Sequence, residues 1–584
     1  MKKTSENVLE KPASLSIAIV GSGGSGVMTA GSLLLEAAGH AGLYGIMTRS
    51  SGPQIRGGEG AALLRFSTNP VFCHSGHFDL LLAIDWLNAD RFAAEITLDE
   101  NSHIIGDEAI PEVFSQSGAS VREISFKQLA AQSPGLRPNM IALGLIGSAI
   151  GLPGEALEDV SRKLISKKGE DAVQASLAGL SLGASNASLL DGFAAIANNL
   201  KPHPEDLPEL WNISGNEAAG LGAIRGGIRF VAAYPITPAT EILEWLAPSL
   251  EKVGGVLVQA EDELASVNQL IGASFGGTPS LTATSGPGLA LMTESIGLAV
   301  ASETPIVVVN VARGGPSTGI PTKSEQSDLN IALYGLHGDA PHLVVAPFSV
   351  SDCLFSTQWA VHLAETLQTA AIVLSDQSLG QTRSIIPRPA NVSFTTRRVI
   401  QSEATENYQR YMTGGSGVSP MALPGLAGGQ YTADGLEHSP TGTPSSRAED
   451  HAQQLDKRRD KLLQHDYGEH WAHIEGDGAM AVITWGSSLA PVREALNALA
   501  AEGITVRLIA PRLLMPVQPE RMAAALAGIE IALVVEQSHG AQFFHYLRAF
   551  YAPTCELHSM ALPGPLAIRP DDVRKEIRKQ WSRE

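Results

Sequence analysis

Apolar residues in this chain gather in short unbroken runs, each closed by Gly, Pro or a lone polar residue, and the stretches between them repeat apolar positions every three or four residues. Runs at 15–20, 230–233, 254–260, 281–284, 305–312, 481–485, 504–509 and 531–536 predict strands buried on both faces, as in parallel sheets. Periodic stretches at 27–39, from Glu263 through Leu264, Val267, Leu270 and Ile271, and at 490–500 predict the crossover helices. Strand and helix in alternation define the α/β class, here as three doubly wound domains.

Polar positions fall where such sheets carry chemistry, because ligands of open α/β sheets bind beyond the carboxyl ends of the strands. Tyr234-Pro235-Ile236-Thr237-Pro238 follows one apolar run as an irregular loop. Glu263 stands in the first turn of a predicted helix, near its positive end. Ser285-Gly286-Pro287-Gly288 is a tight turn before another helix, and the run 305–312 delivers Arg313. Each residue has an ordinary reading on its own: a dipole-stabilising surface glutamate, a turn threonine, a solvated arginine. Placed at successive strand ends of one sheet, Thr237, Glu263, Ser285 and Arg313 point to a site.

A second candidate lies near the amino terminus. The strand 15–20 runs into Gly21-Ser22-Gly23-Gly24-Ser25-Gly26 and then a helix, so backbone N–H groups are offered to a phosphate-bearing ligand. No acidic residue closes a second strand about 20 positions on, which leaves a nicotinamide dinucleotide without support. Lys201-Pro202-His203-Pro204-Glu205-Asp206-Leu207-Pro208 reads as a linker. Residues 387–475 hold few periodic apolar runs and much Gly, Pro, Ser and Thr, which predicts a long arm with little regular structure.

The motifs taken in order, ending with Arg313-Gly314-Gly315-Pro316-Ser317-Thr318-Gly319, resemble the pyrimidine-binding domain for thiamine pyrophosphate in the 2-oxoacid:ferredoxin oxidoreductase family. Arg49 to Arg65, with Ser51-Gly52-Pro53-Gln54 and Ile55-Arg56-Gly57-Gly58-Glu59, is similar to that family's gamma subunit. The resemblance implies a gamma-like domain at 14–198, a pyrimidine-binding domain at 199–386, a connecting arm at 387–475 and a transketolase C-terminal-like domain at 476–584 whose role is packing and assembly. It assigns Glu263 to the aminopyrimidine nitrogen of the cofactor, with Glu261 as rival, Thr237 to the 2-oxoacid, and Arg313 to its carboxylate through a two-donor fork. Tyr234, Pro235, Ile236, Pro238 and Ser285 would line the cofactor, and Gly21, Gly23, Gly24, Gly26 and Arg56 would meet coenzyme A. Gly319-Ile320-Pro321-Thr322-Lys323 through Leu329, and Tyr334-Gly335-Leu336-His337-Gly338-Asp339, resemble the branch acting on 2-oxoglutarate. That implies CoA-dependent oxidative decarboxylation with reduction of ferredoxin, a reaction that could also run backward and fix CO₂. Pyruvate, a branched-chain 2-oxoacid and an aryl pyruvate stay open as substrates, as does a non-catalytic scaffold. Lys323 is a candidate for a second substrate carboxylate, and His438 in the arm a candidate functional residue.

Two absences imply a partner. Gly476-Asp477-Gly478 precedes a strand instead of following one, and Asn497 comes too soon after it, so the triplet does not read as the Mg²⁺–pyrophosphate motif. Cys73, Cys353 and Cys555 lie far apart, whereas a [4Fe-4S] cluster takes four thiolates. Both the Mg²⁺ site and the cluster are therefore expected on a beta subunit, in an (αβ)₂ assembly, with no metal site on this chain. The 584 residues, 44% hydrophobic and 17% charged, suffice for three cores. With 60 acidic against 41 basic residues the net charge of −19 argues against nucleic acid or an anionic membrane as partner. Residues 1–13 are polar, no run is long enough to span a bilayer, and a cytoplasmic location is expected.

Overall fold

The computed structural model describes residues 14–52, 58–193, 200, 208–394, 397–403 and 406–581. Arg56 and nearly all of the linker at 201–208 lie outside the described residues. The chain forms two compact units, one holding the described residues up to Ile213 together with Arg383–Pro389, the other Ser214–Thr382 and the described residues from Ala390 onward.

The first unit is built on an eight-stranded sheet in the order Ser120–Glu123, His103–Gly106, Leu80–Ala83, Ser14–Gly21, Gly60–Ser67, Tyr44–Ser51, Arg383–Pro387 and Leu210–Ser214. The strands from Ser120–Glu123 to Ser14–Gly21 are parallel, while Gly60–Ser67, Tyr44–Ser51 and Arg383–Pro387 pair antiparallel. The helices Pro138–Ala149 and Glu170–Ala184 approach backbone to backbone: a Cβ on Gly144 would lie 2.1 Å from the Leu180 carbonyl oxygen, and one on Gly183 2.0 Å from that of Ile141. The expected division at 198 and 386 shifts, because Arg383–Pro387 joins this sheet and Ser214 opens the other unit. The pairing of a strand with a sheet laid down more than 300 residues earlier is non-local, so the apolar run carries no trace of it.

The second unit opens with a capping box, in which Glu217 N–H donates to Ser214 Oγ at 3.2 Å and Ser214 N–H donates to Glu217 Oε2 at 2.9 Å. Its helix, Gly215–Gly226, packs closely on Val350–Leu367, since a Cβ on Gly222 would lie 2.2 Å from the Leu354 carbonyl oxygen. Beneath them a seven-stranded sheet runs in the order Leu513–Met515, Leu343–Val345, Ala370–Asp376, Ile306–Ala312, Ser280–Thr284, Phe230–Ala233 and Val256–Gln259. All pairs are parallel except the first, whose Leu513–Met515 comes from the C-terminal region. A five-stranded sheet follows, ordered Ala472–Glu475, Val506–Pro511, Met480–Thr484, Ile531–Glu536 and Glu556–Ala561. Contrary to the expectation that Gly476-Asp477-Gly478 precedes a strand without following one, it is the turn between Ala472–Glu475 and Met480–Thr484, with a Cβ on Gly478 only 2.2 Å from the Thr505 carbonyl oxygen.

The arm is more ordered than its composition predicts. It pairs Ile400–Gln401 with Met421–Ala422 and contains a four-turn helix, Ala448–Leu463. That helix escaped the apolar periodicity because its inner face is polar: Gln454, Lys457, Arg458 and Lys461 are buried. Lys457 Nζ donates to Glu303 Oε1 at 2.7 Å, Lys461 Nζ to Glu303 Oε2 at 3.2 Å, and Arg410 to the Glu303 carbonyl oxygen at 2.7 Å. Burial alone would raise the Glu303 carboxyl, but Lys461, Lys457 and Arg410 override it and hold it at about 2. Three cations share one carboxylate, so the ammonium groups are under-paired, and burial pulls Lys461 down to about 8 against the pull of Glu303. A second buried pair, Arg398 with Glu365 at 2.7 and 2.8 Å, ties the arm to Val350–Leu367. His438 is fully buried, stacked on Tyr411 at 4.4 Å and bonded through Nε2 to Asp434 at 2.9 Å, while its Nδ1 has no hydrogen-bond partner among the described residues. Among the described residues no helix is long and apolar enough to cross a membrane.

Glu303→Gln strands three buried cations, and urea unfolding of this unit is expected to show a loss of about 3–5 kcal/mol, with earlier proteolytic cleavage of the arm. Since the folded carboxyl lies below its ordinary value of 4.5, Glu303 stabilises fully above that pH, and its contribution disappears as pH falls toward about 2.

Candidate active site

The carboxyl ends of four adjacent strands bring the predicted residues to one edge of the seven-stranded sheet. Asp262 caps the helix Glu263–Phe275 by accepting the Ala265 N–H at 2.7 Å, which makes Glu263 its first residue. Burial separates the rival carboxylates: Glu261 is exposed, whereas Glu263 is 7% exposed. Its side chain lies across Gly288, where a Cβ would stand 2.8 Å from Glu263 Cγ, 2.9 Å from Oε1 and 2.0 Å from Thr284 Oγ1. Only glycine at 288 leaves that seat open. Among the described residues no hydrogen bond reaches the Glu263 carboxylate.

The loop after Phe230–Ala233 carries Tyr234, exposed, then Pro235, Ile236 and Thr237, partly exposed, then Pro238, buried and joined to Thr237 by a cis peptide. Asn216 Nδ2 holds the Pro238 carbonyl oxygen at 2.9 Å. Arg313 Nη1 donates to the Thr237 carbonyl oxygen at 2.5 Å, so the loop and the guanidinium position each other.

Arg313 is buried at the end of Ile306–Ala312, and burial lowers its pKa while Asp328 acts in the opposite sense. Asp328 is itself pushed up by burial, opposed by a hydrogen bond from Asn310 and the charge of Arg313. Asn310 Nδ2 donates to Asp328 Oδ2 at 2.9 Å, and a Cβ on Gly286 would lie 2.6 Å from Oδ1. Ser285 Oγ, Asn310 Oδ1 and Arg313 Nε are buried without a hydrogen-bond partner among the described residues. Each therefore keeps hydrogen-bonding capacity that no described residue uses.

In the first unit, Ser22 N–H and Oγ both donate to Asp85, at 3.0 and 2.8 Å. This carboxylate claims donors at the start of the glycine loop and leaves Gly23 and Gly24 as its exposed part. Gly21 ends its strand, and Gly26, at φ 89°, faces Asn139, whose Cγ would be 2.6 Å from a Cβ there.

Sequence reasoning missed Asp328, Asn310, Asn216, Asp85 and Gly288 as parts of these sites. Asn310 had a signal, being the polar residue inside the otherwise apolar strand Ile306–Ala312. The others depend on contacts between distant segments.

Residues 16–185 match the family model described as pyruvate ferredoxin/flavodoxin oxidoreductase. Residues 221–457 match the model for the thiamine-diphosphate-binding domain of pyruvate flavodoxin/ferredoxin oxidoreductases, which takes in most of the arm as well. The 2-oxoglutarate synthase subunit KorA of Methanothermobacter thermautotrophicus is 35% identical over 376 residues, covering 64% of this chain and 99% of that subunit. The 2-oxoacid:ferredoxin oxidoreductase subunit alpha of Saccharolobus solfataricus is 35% identical over 364 residues, 58% of this chain and 57% of that subunit. Among solved structures, a 2-oxoglutarate:ferredoxin oxidoreductase from Magnetococcus marinus with 2-oxoglutarate, coenzyme A and succinyl-CoA bound matches at a TM-score of 0.86 and 34% identity, covering 98% of this chain and 100% of that one. The chain belongs to the 2-oxoacid:ferredoxin oxidoreductase family.

Because burial raises the Asp328 carboxyl above its ordinary 3.8, the folded protein favours the protonated acid and loses stability as pH rises from that value through the raised one. Asn does not titrate. Asp328→Asn is therefore expected to gain thermal stability relative to the wild type as pH rises above about 4, measured as the difference in Tm across a pH series.

Proposed function

We propose that this chain is the alpha subunit, with its gamma module fused, of a 2-oxoglutarate:ferredoxin oxidoreductase that is active only with a beta subunit. The observation that carries the reading is Glu263: a buried first-turn carboxylate on a glycine seat, at the same sheet edge as Thr237 and Arg313. Those residues fit the aminopyrimidine half of thiamine pyrophosphate, since the seat would be filled by any side chain at 288 and Ser285 Oγ has no other partner. When bound, that cofactor supplies the nucleophilic carbon and the electron sink for decarboxylation.

The chain's own residues do the positioning. Glu263 holds a proton toward the pyrimidine ring, and its burial keeps water from competing for the carboxylate. Arg313, with one Nη committed to the Thr237 carbonyl oxygen, offers its remaining N–H groups to the substrate carboxylate. The Thr237 hydroxyl serves the 2-oxo oxygen, while Tyr234, Pro235, Ile236 and Pro238 wall the cofactor. In the first unit, Gly23 and Gly24 are the exposed part of a coenzyme A contact that also takes in Gly21, Gly26 and Arg56. The balanced change is 2-oxoglutarate, CoA and two oxidised ferredoxins to succinyl-CoA, CO₂, a proton and two reduced ferredoxins; a strongly reducing ferredoxin would drive it toward CO₂ fixation.

The thiols do not fit a [4Fe-4S] cluster, which takes four thiolates. Cys353 is fully buried in Val350–Leu367, where burial pushes its thiol far up, and burial also raises Cys555. The cluster, together with Mg²⁺ and the pyrophosphate-binding domain, is assigned to the beta subunit, in an (αβ)₂ complex that reduces ferredoxin.

The test is anaerobic reduction of a viologen dye by the complex, offered 2-oxoglutarate, pyruvate, a branched-chain 2-oxoacid and an aryl pyruvate, with and without CoA. CoA-dependent reduction confined to 2-oxoglutarate, falling at least about 10²-fold in Glu263→Gln, is the expected result. Activity on the other acids would move the substrate, and no activity on any would leave a scaffold. Gly288→Ala should weaken thiamine pyrophosphate binding, read by quenching of intrinsic fluorescence, because the added methyl group occupies the seat of Glu263.

A further inference from the structure

The C-terminal sheet has a crevice of the kind that binds ligands in other open α/β sheets. Its chain runs from Met480–Thr484 to Val506–Pro511 on one side, then to Ile531–Glu536 on the other, so the strand order reverses between Met480–Thr484 and Ile531–Glu536. Such a switch point, at the carboxyl ends of the strands, is where ligands enter. Here a side chain of the same chain occupies it. Gln326, 1% exposed, donates through Nε2 to the Trp485 carbonyl oxygen at 2.8 Å and accepts at Oε1 from Ser488 Oγ at 2.8 Å and from the Gln537 N–H at 2.7 Å. Its own N–H donates to the Gln537 carbonyl oxygen at 2.8 Å. Gly486, at φ 59°, makes the room: a Cβ there would stand 2.6 Å from Gln326 Nε2.

The residues on either side extend the anchor back to Arg313. Glu325 Oε1 accepts the Gly564 N–H at 2.9 Å, and its Oε2 accepts Ser327 Oγ at 2.8 Å and the Gly315 N–H at 3.4 Å. Gly314 N–H donates to the Lys323 carbonyl oxygen at 2.9 Å, which closes the loop directly after Arg313. Gln542 holds the far side, donating to the Ser327 carbonyl oxygen and accepting the Asn330 N–H, both at 2.9 Å. The foot of the loop is thus held on one side by residues of the C-terminal sheet and its turns, and on the other by Asp376 and Ser378, which bond Ser324 Oγ at 3.2 and 3.0 Å.

We propose that Gln326, seated in the switch-point crevice of the C-terminal sheet, and Glu325 beside it are positioning residues that fix where Arg313 stands, so that this region takes part in 2-oxoacid recognition beyond packing and assembly. The inference rests on the reading that Arg313 holds the substrate carboxylate. A guanidinium fork is exacting in distance and angle, and a loop released at its foot leaves the charge in place but not its aim.

The experiment compares Gln326→Met, Glu325→Gln and Arg313→Met in the complete complex, measuring kcat and KM for the 2-oxoacid that it turns over, affinity for thiamine pyrophosphate, and Tm. In Gln326→Met and in Glu325→Gln, KM should rise at least about tenfold, with kcat changed less and thiamine pyrophosphate affinity held. Glu325→Gln leaves the Gln326 seat intact and serves if Gln326→Met does not fold. Unchanged KM in the folded Gln326 and Glu325 variants, beside a raised KM in Arg313→Met, would overturn the positioning alone. A raised KM accompanied by parallel losses of cofactor affinity and Tm would also overturn it in favour of a purely structural role. Unchanged KM in Arg313→Met would remove the reading of Arg313, and the positioning with it.

Discussion

A carboxylate can sit buried in the first turn of a helix only where neighbouring backbone leaves it space, and at Glu263 that space is Gly288. The glycine belongs to the helix that follows Ser280–Thr284, so the seat exists only because the sheet brings the loop–helix junctions after Val256–Gln259 and Ser280–Thr284, on either side of Phe230–Ala233, within reach of each other. The same rule repeats one strand further on, where Gly286 leaves room for Asp328. Glycines in the Ser285-Gly286-Pro287-Gly288 turn thus admit two acids, Glu263 and Asp328. Chemistry at this edge depends on missing side chains as much as on those present.

Holding polar groups in such a place has a cost that the surrounding architecture offsets. Ser285 Oγ, Asn310 Oδ1 and Arg313 Nε stay unsatisfied in the free chain, and desolvation disfavours charge on both Arg313 and Asp328. Rigidity comes from elsewhere in the unit. The arm is fastened by Arg398 to Glu365 and by Lys457, Lys461 and Arg410 to Glu303, buried pairs in which removing one partner leaves an uncompensated charge. The C-terminal sheet then grips the Arg313 loop through Gln326. A site made of loops is held on two sides by buried polar contacts.

Much of this was legible in the linear sequence because it is local. Tyr234-Pro235-Ile236-Thr237-Pro238, Ser285 and Arg313 each directly follow an apolar run and Glu263 comes three residues after one, and a parallel sheet turns that adjacency into a shared edge. The helix Ala448–Leu463 was not legible, since its buried face is Lys, Arg and Gln, and periodicity sees only apolar residues. Nor was the strand Glu556–Ala561, an edge strand with little buried surface, or the membership of Arg383–Pro387 in the first unit's sheet.

The sequence by itself determined the α/β class, the family and the order of the chemical groups along the chain, because strand-forming runs and the Gly- and Pro-shaped loops after them are properties of neighbouring residues. Only the tertiary structure decided which carboxylate is buried, that Asp85 takes the first donors of the glycine loop, that Asp328 and Asn310 stand behind Arg313, and that Gln326 fills the crevice of another sheet. Those outcomes depend on burial and on contacts across tens to hundreds of residues, and a pattern of neighbours does not encode what a distant segment will bring.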